Sequence, residues 1–150
     1  MNEWRKSLRE LLEEAETKRA AREAANRDAQ KWKRVKHFIS DTVVPAFEQV
    51  AEELQDHDRD VELEHARDFA TITVYRDGER EFYFGVRARA YKEREFAFPA
   101  LPLRDAQGRI YRAEAFTDDG PLKHDVTDYT TEEIIELLLY EYRRHLRWST

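Results

Sequence analysis

The densest set of potential ligands in the chain is Asp56, His57, Asp58 and Asp60. Carboxylates and an imidazole at such spacing can hold a divalent cation, which would make a metal-dependent enzyme. The pattern does not develop further. A calcium loop needs a glycine and a distal glutamate at fixed offsets, and neither is present. His37, His65, His124 and His145 share no ligand spacing, and there is no His-Glu-x-x-His. The cluster also stands where a helical pattern gives way to a strand, a place where polar residues belong in any case. No metal site is expected.

Other chemistries are excluded more directly. Without cysteine there is no disulfide, thiolate catalysis or Cys-ligated zinc. The serines, Ser7, Ser40 and Ser149, fall in a helical stretch, a cap-like cluster and the tail, and no Gly-x-Ser-x-Gly is present. The four glycines, Gly78, Gly85, Gly108 and Gly120, are too scattered for a phosphate-cradling or dinucleotide loop, so no cofactor is expected. Acidic residues such as Asp68, Glu79, Glu81, Glu93, Glu95 and Glu114 abound, but pairs are unremarkable in a chain this acidic. Glu93 and Glu95 flank Arg94 rather than an apolar strand. The expectation is a protein that is not an enzyme.

Binding is the remaining class, and two features suggest it. Along the longest period-two stretch, Arg80 to Lys92, the even positions Phe82, Phe84, Val86, Ala88 and Ala90 are apolar, while the odd positions include Tyr83, Arg87, Arg89 and Tyr91. Basic groups interleaved with aromatics on one strand face can track a nucleic-acid backbone and stack bases. The same face could equally receive an acidic peptide or a second copy of the chain. The second feature is a narrow apolar stripe near the N-terminus, Leu8, Leu11 and Leu12, resumed at Trp32 after a run of alanines. Such a helix must pack against something, its own domain or another chain.

The elements that would carry these residues follow from periodicity. Residues 3–36 lack Gly and Pro and are rich in strong helix formers. The helical stripe continues through Val35, Ile39, Val43, Phe47, Val50 and Leu54, interrupted by Pro45. Either one helix kinks near Asp41, or a new helix starts there with Ser40 or Asp41 as N-cap, and the Ser-Asp-Thr cluster favours the second. Short strands follow at 61–65 and 69–75, with His65 read as half-buried on the alternation of Val61 and Leu63. Asp77-Gly78 marks a hairpin into the long strand. Phe96 to Leu103 carries two prolines and could be an edge strand at best. Asp105 to Gly108 reads as a turn, Ile110 to Phe116 as a last strand, and Asp118 to Pro121 as a loop. Thr130 to Glu133 matches a capping box. It opens a helix with an apolar stripe of Ile134, Ile135, Leu138, Leu139, Tyr142, Leu146 and Trp148, closed by Arg143, Arg144 and Arg147, which suit the helix dipole.

Strands in succession with helices at either end predict an α+β fold: N-terminal helices, a four- to five-stranded antiparallel sheet, and a C-terminal helix packed on the sheet. The length of 150 residues fits a single domain, divided into a helical arm at 1–31, a helix at 32–56, the sheet at 61–116 and the last helix at 131–148. Charged residues make up 39% of the chain, and the net charge of −6 is uneven. Residues 1–36 hold 11 Lys/Arg against 7 Asp/Glu, leaving +4, and the rest holds 15 against 25, leaving −10. No apolar run approaches the ~18 residues of a membrane span, and no signal-peptide core opens the chain. The outline is loosely similar to small acidic secretion chaperones that dimerise, an analogy of fold alone.

These observations predict a cytoplasmic, non-enzymatic protein with no membrane connection. It would bind another protein as an adaptor or chaperone and self-associate as a homo-oligomer. Partner binding would fall to Leu8, Leu11, Leu12 and Trp32, and to Tyr83, Arg87, Arg89 and Tyr91. The alternative is a nucleic-acid-binding module on the Arg/Tyr face, and the third reading is a metal-dependent enzyme.

Overall fold

The computed structural model describes residues 2–92 and 109–148. The charged, glycine-free N-terminal stretch forms one long helix, α1, Glu3–Phe38. It runs without a break into a π-helical segment, Ile39–Val43, and then into α2, Val44–Gln55. No side chain caps the start of either segment. The expectation of a fresh helix capped by Ser40 or Asp41 is therefore corrected: the chain stays helical through this point. Proline lacks the N–H that continues an α-helix and its ring crowds the preceding turn. The chain accommodates Pro45 by widening the turn ahead of it, so that the Val44 N–H reaches back to the Ile39 carbonyl. Ser40 is spent locally, its hydroxyl donating to the His37 carbonyl at 3.1 Å.

Five strands follow: β1 Asp60–His65, β2 Phe69–Arg76, β3 Glu79–Lys92, β4 Arg109–Thr117 and β5 Gly120–Asp125. They lie side by side in chain order as an antiparallel meander. Asp77 and Gly78 both take positive φ, 53° and 82°, the twist a two-residue hairpin needs between right-twisted strands. The register puts Ala70 opposite Val86, Ile72 opposite Phe84 and Val74 opposite Phe82, so one face is continuously apolar. The fifth strand was not expected where it lies. The reading of Asp118 to Pro121 as a loop missed that Gly120, at φ 109°, turns the chain back along β4. Pro121, at the start of an outer strand, opposes Phe116 without breaking an inner ladder. The proposed edge strand at 96–103 and the turn at 105–108 lie outside the described residues. His65 is exposed rather than half-buried, because it ends the outer strand β1.

The last helix, α3, spans Thr131–Trp148. Its capping box forms as the residue types require: the Glu133 N–H donates to Thr130 Oγ1 at 3.1 Å, and the Thr130 N–H donates back to Glu133 Oε1 at 3.2 Å. Ile134, Leu138 and Tyr142, at i, i+4 and i+8, are the residues of α3 that become buried. They pack with Ile39, Val43 and Phe47 over Ile72, Phe82 and Phe84. The fold is α+β, with an N-terminal helix, a five-stranded antiparallel sheet and a C-terminal helix on the sheet.

The chain divides into two compact units, residues 1–31 with 91–110 and residues 32–90 with 111–150. Among the described residues, the core begins at Val35. Removal of residues 1–28 is therefore expected to leave a cooperative thermal transition within a few degrees of the full chain, because no buried apolar residue is lost. A truncated chain with no cooperative melt by circular dichroism would show that the helical arm belongs to the folding unit.

Candidate functional site

The two groups of sequence-predicted binding residues can be placed directly. Leu8, Leu11 and Leu12 share one side of α1 and are 46%, 60% and 56% exposed. Trp32 is half-buried, its ring edge-on to Tyr111 at 5.4 Å. On β3 the odd positions are engaged within their own sheet face. Tyr83 lies beside Phe116 at 5.9 Å and carries the Arg80 guanidinium over its ring. Arg87 lies over the Phe116 ring at 5.1 Å. Arg89 reaches the buried Glu114 at 3.9 Å, and Arg112 approaches the same carboxylate at 3.6 Å. Tyr91 is half-buried near the end of β3. Arg94, Glu93 and Glu95 lie outside the described residues.

The acidic cluster at the exit of α2 has a conformational role. Asp58 adopts the left-handed conformation at φ 62°, which aspartate tolerates better than most residues. The N–H groups of His57 and Arg59 both return to the Leu54 carbonyl, closing the helix end. His57 is held by Glu53 at 3.3 Å. Among the described residues, no group of three or more His, Asp or Glu could hold a metal ion.

The most developed polar arrangement is one that sequence reasoning did not single out. Glu81 on β3, next to the core residue Phe82, receives a hydrogen bond from the Tyr142 hydroxyl of α3 and another from Arg59 Nε at 3.3 Å. Burial alone would raise the Glu81 carboxyl, but the hydrogen bonds from Tyr142 and Arg59 outweigh it and hold it below the ordinary carboxylate range. Tyr142 is pushed up to about 12, first by burial and then by donating to Glu81. Its ring stacks on Phe82 at 4.7 Å. The network ties α3, β3 and the turn after α2 into one block.

Around this block the C-terminal half of α3 is flanked by two concavities. One, of 220 Å³, is lined by Phe82, Tyr83, Asp118, Glu141, Arg144 and His145, among others. It is crowded with charges that already neutralise one another in part, as Arg80 pairs with Asp118 at its rim. The other is a more open groove of 620 Å³ between α2 and α3, whose walls include Leu54, Leu139, Leu146, Arg59, Arg143 and Arg147. The apolar stripe expected on α3 was too wide. Leu139 and Leu146 are 49% and 38% exposed and border the groove, and Tyr140 is 63% exposed on the outer side. Tyr140, Arg143, Arg144 and Arg147 line a third, shallow depression. The available signal was helical phase. Leu139 lies about 100° around the helix from Leu138, and Leu146 continues the Ile134–Leu138–Tyr142 row, which drifts by about 40° at each step of four until it stands beside Arg143.

Three comparisons bear on what such a surface is for. The chain is 28% identical over 120 residues to the high-affinity choline transport protein of Escherichia coli K12. It is 27% identical over 109 residues to a glycine betaine transporter of Acinetobacter baylyi, and 27% identical over 124 residues to an osmo-dependent choline transporter of the same organism. The matches cover 75%, 73% and 74% of this chain, but only 17%, 16% and 17% of those proteins. The chain thus spans about a sixth of the length of the curated relatives it matches. No model of a known protein family matches it.

These similarities correct the functional expectation. A cytoplasmic adaptor or chaperone that self-associates, with a nucleic-acid module as alternative, is overturned by relatives named as choline and betaine transporters. The expectation of no membrane connection falls with it, since transport is by definition across a membrane. Among the described residues, no helix is long and apolar enough to cross one. The relatives are transporters and not enzymes, which agrees, at that coarse level, with the absence of a catalytic motif.

Proposed function

We propose that this chain is an extramembrane, non-enzymatic module of a choline or glycine betaine transport system, acting on uptake rather than forming the solute's path. The observation that carries this reading is the confinement of the similarity. It covers about a sixth of each of three transporters, in a stretch whose described helices cannot span a bilayer. A solute path is built from segments whose backbone is satisfied within lipid, which for helices means about 20 apolar residues each. α3, with 18 residues, carries four glutamates and three arginines. A module outside the membrane alters transport by interacting differently with two states of the spanning part. A chain in which 39% of the residues are charged makes such interactions sensitive to ionic strength. One relative is named osmo-dependent, which fits a module of this kind.

Deletion of the segment encoding residues 32–148 in its natural host, with uptake of radiolabelled choline and glycine betaine followed at low and high osmolality, tests the reading. The expected result is a changed rate or a flattened osmotic response for at least one of the two solutes. Wild-type uptake and wild-type osmotic response for both would end the proposal.

A further inference from the structure

We propose that the 220 Å³ pocket between α3, β3 and the β4–β5 turn binds a small zwitterion, one carrying a carboxylate and a cationic nitrogen. The inference deepens the transport reading by giving the module a small solute to sense, and it rests on that reading for the link between binding and uptake. Three elements build the pocket. Glu141, Arg144 and His145 fall within an arc of about 100° on α3 and form one side. Thr117, Asp118 and Asp119, at the turn between β4 and β5, form another, and Phe82 and Tyr83 of β3 the third. Contacts of its own hold this frame. The Asp119 N–H donates to Thr117 Oγ1 at 3.2 Å, and Gly120 turns the chain at φ 109°. Arg80 pairs with Asp118 while its guanidinium lies over the Tyr83 ring, 5.3 Å from the centre. The His145 ring stands 5.8 Å from that of Phe82.

What the frame leaves over defines the ligand. Asp118 is spent on Arg80. Among the described residues, the side chains of Asp119, Glu141 and Arg144 enter no hydrogen bond or ion pair. Glu141 and Arg144 stand three apart on one helix, a spacing that permits pairing, and they do not pair. The pocket therefore offers a guanidinium and two carboxylates. A plain anion would be repelled by the carboxylates, and a plain cation would leave the guanidinium unmet. A ligand with both charges satisfies both: its carboxylate takes the fork of Arg144, and its nitrogen lies against Asp119 and Glu141. A concave site strengthens such contacts over those of a flat surface, because its walls focus the field. The aromatic faces are already in use, Tyr83 under Arg80 and Phe82 stacked on Tyr142. The nitrogen is thus held by carboxylates and not by an aromatic cage, and Arg144 selects ligands that bear a carboxylate.

The test is an amide NMR titration of the full chain with glycine, glycine betaine, acetate and choline, with sucrose as the control for bulk osmotic effects. Saturable shifts at residues 117–120 and 141–145 are expected with at least one of the two zwitterions, and binding of acetate and choline about tenfold weaker or less. Glycine as the tighter ligand would place amino acids in the site, since its N–H groups can donate to Asp119 and Glu141. Glycine betaine as the tighter ligand would place N-methylated solutes there. Arg144→Gln should weaken zwitterion binding about tenfold or more, the scale of a lost charge-assisted hydrogen bond, and remove the advantage over choline. Asp119→Asn with Glu141→Gln should weaken zwitterions and choline alike. Arg143→Gln lies outside this pocket and should leave binding unchanged. A melting curve for each variant verifies the fold. The proposal is overturned if neither zwitterion gives a saturable shift at these residues up to about 50 mM. It is equally overturned if choline or acetate binds as tightly as the better zwitterion, or if Arg143→Gln weakens binding as much as Arg144→Gln. The titrations involve no membrane, so their failure leaves the uptake experiment unaffected. Zwitterion binding combined with unchanged uptake on deletion would reject the transport reading alone.

Discussion

Alanine at position 85 is expected to lower stability by about 2–3 kcal/mol, because a Cβ there has no room. Gly85 is buried in the middle of β3, opposite Thr71, and its missing side chain is replaced by the ring of Phe116 from β4. A Cβ built on Gly85 meets three carbons of that ring inside van der Waals contact, with Cε1 at 2.8 Å and Cε2 at 2.9 Å. The ring cannot simply swing out, since it is held between Tyr83 and Arg87. For a chain of this size the loss corresponds to about 5–10 °C in the melting temperature. The clash also predicts coupling. Phe116→Ala alone should destabilise by removing those ring contacts, yet the double variant Gly85→Ala with Phe116→Ala should be more stable than the sum of the singles by about 1 kcal/mol or more. Strictly additive effects in thermal or denaturant melts would show that the Phe116 ring is not what makes glycine necessary.

Glu81→Gln is expected to cost about 2 kcal/mol at neutral pH, the usual scale for hydrogen bonds to a charged group. The amide keeps an acceptor for Tyr142 but presents no charge to Arg59, and its NH2 group competes for the same space. The pH dependence gives a second signature. The folded carboxyl titrates below its ordinary value. Its stabilisation is therefore complete above the unfolded pKa and is lost as the pH falls through the folded one. Wild type should lose stability in the acid limb, below about pH 4, more steeply than Glu81→Gln. Tyr142 behaves oppositely. Its hydroxyl titrates at about 12 against an ordinary 10, so its proton stabilises the fold fully below pH 10, and this is lost as the pH rises through about 12. Tyr142→Phe should flatten that alkaline limb. Parallel stability curves for wild type and Glu81→Gln below pH 5 would mean that Arg59 and Tyr142 do not hold the carboxylate as described.

Local chemistry determined most of the architecture. The alternation Phe82–Phe84–Val86, the Asp77-Gly78 turn and the Thr130–Glu133 capping box each carry their own physical instruction. A two-residue turn of type I′ needs positive φ at both positions, and a hydroxyl facing a glutamate three residues on satisfies two helix N–H groups. These signals act over a few residues and so are legible without the fold. β5 escaped because its pattern is short and opens with Gly-Pro, and only pairing with β4 makes it a strand. The unbroken helix through Pro45 escaped for a related reason. Local propensity favours a cap at Ser40, and burial of Ile39 and Val43 against α3 and the sheet outweighs it.

The candidate site was the least legible, and the reason is geometric. A stripe of seven apolar residues on α3 does not say how many of them the sheet can cover. The width of the sheet beneath the helix buried Ile134, Leu138 and Tyr142 and left Leu139 and Leu146 beside Arg143. The meeting of Glu81, Arg59 and Tyr142 joins positions 22 and 61 residues apart from the carboxylate, a proximity no local pattern encodes. By itself the sequence determined the element types, the antiparallel order and the inner face of β3, because hydrophobic period and turn chemistry are local. Only the tertiary structure decided which exposed groups share a surface, because that depends on how far each helix rolls over the sheet before its apolar face is covered.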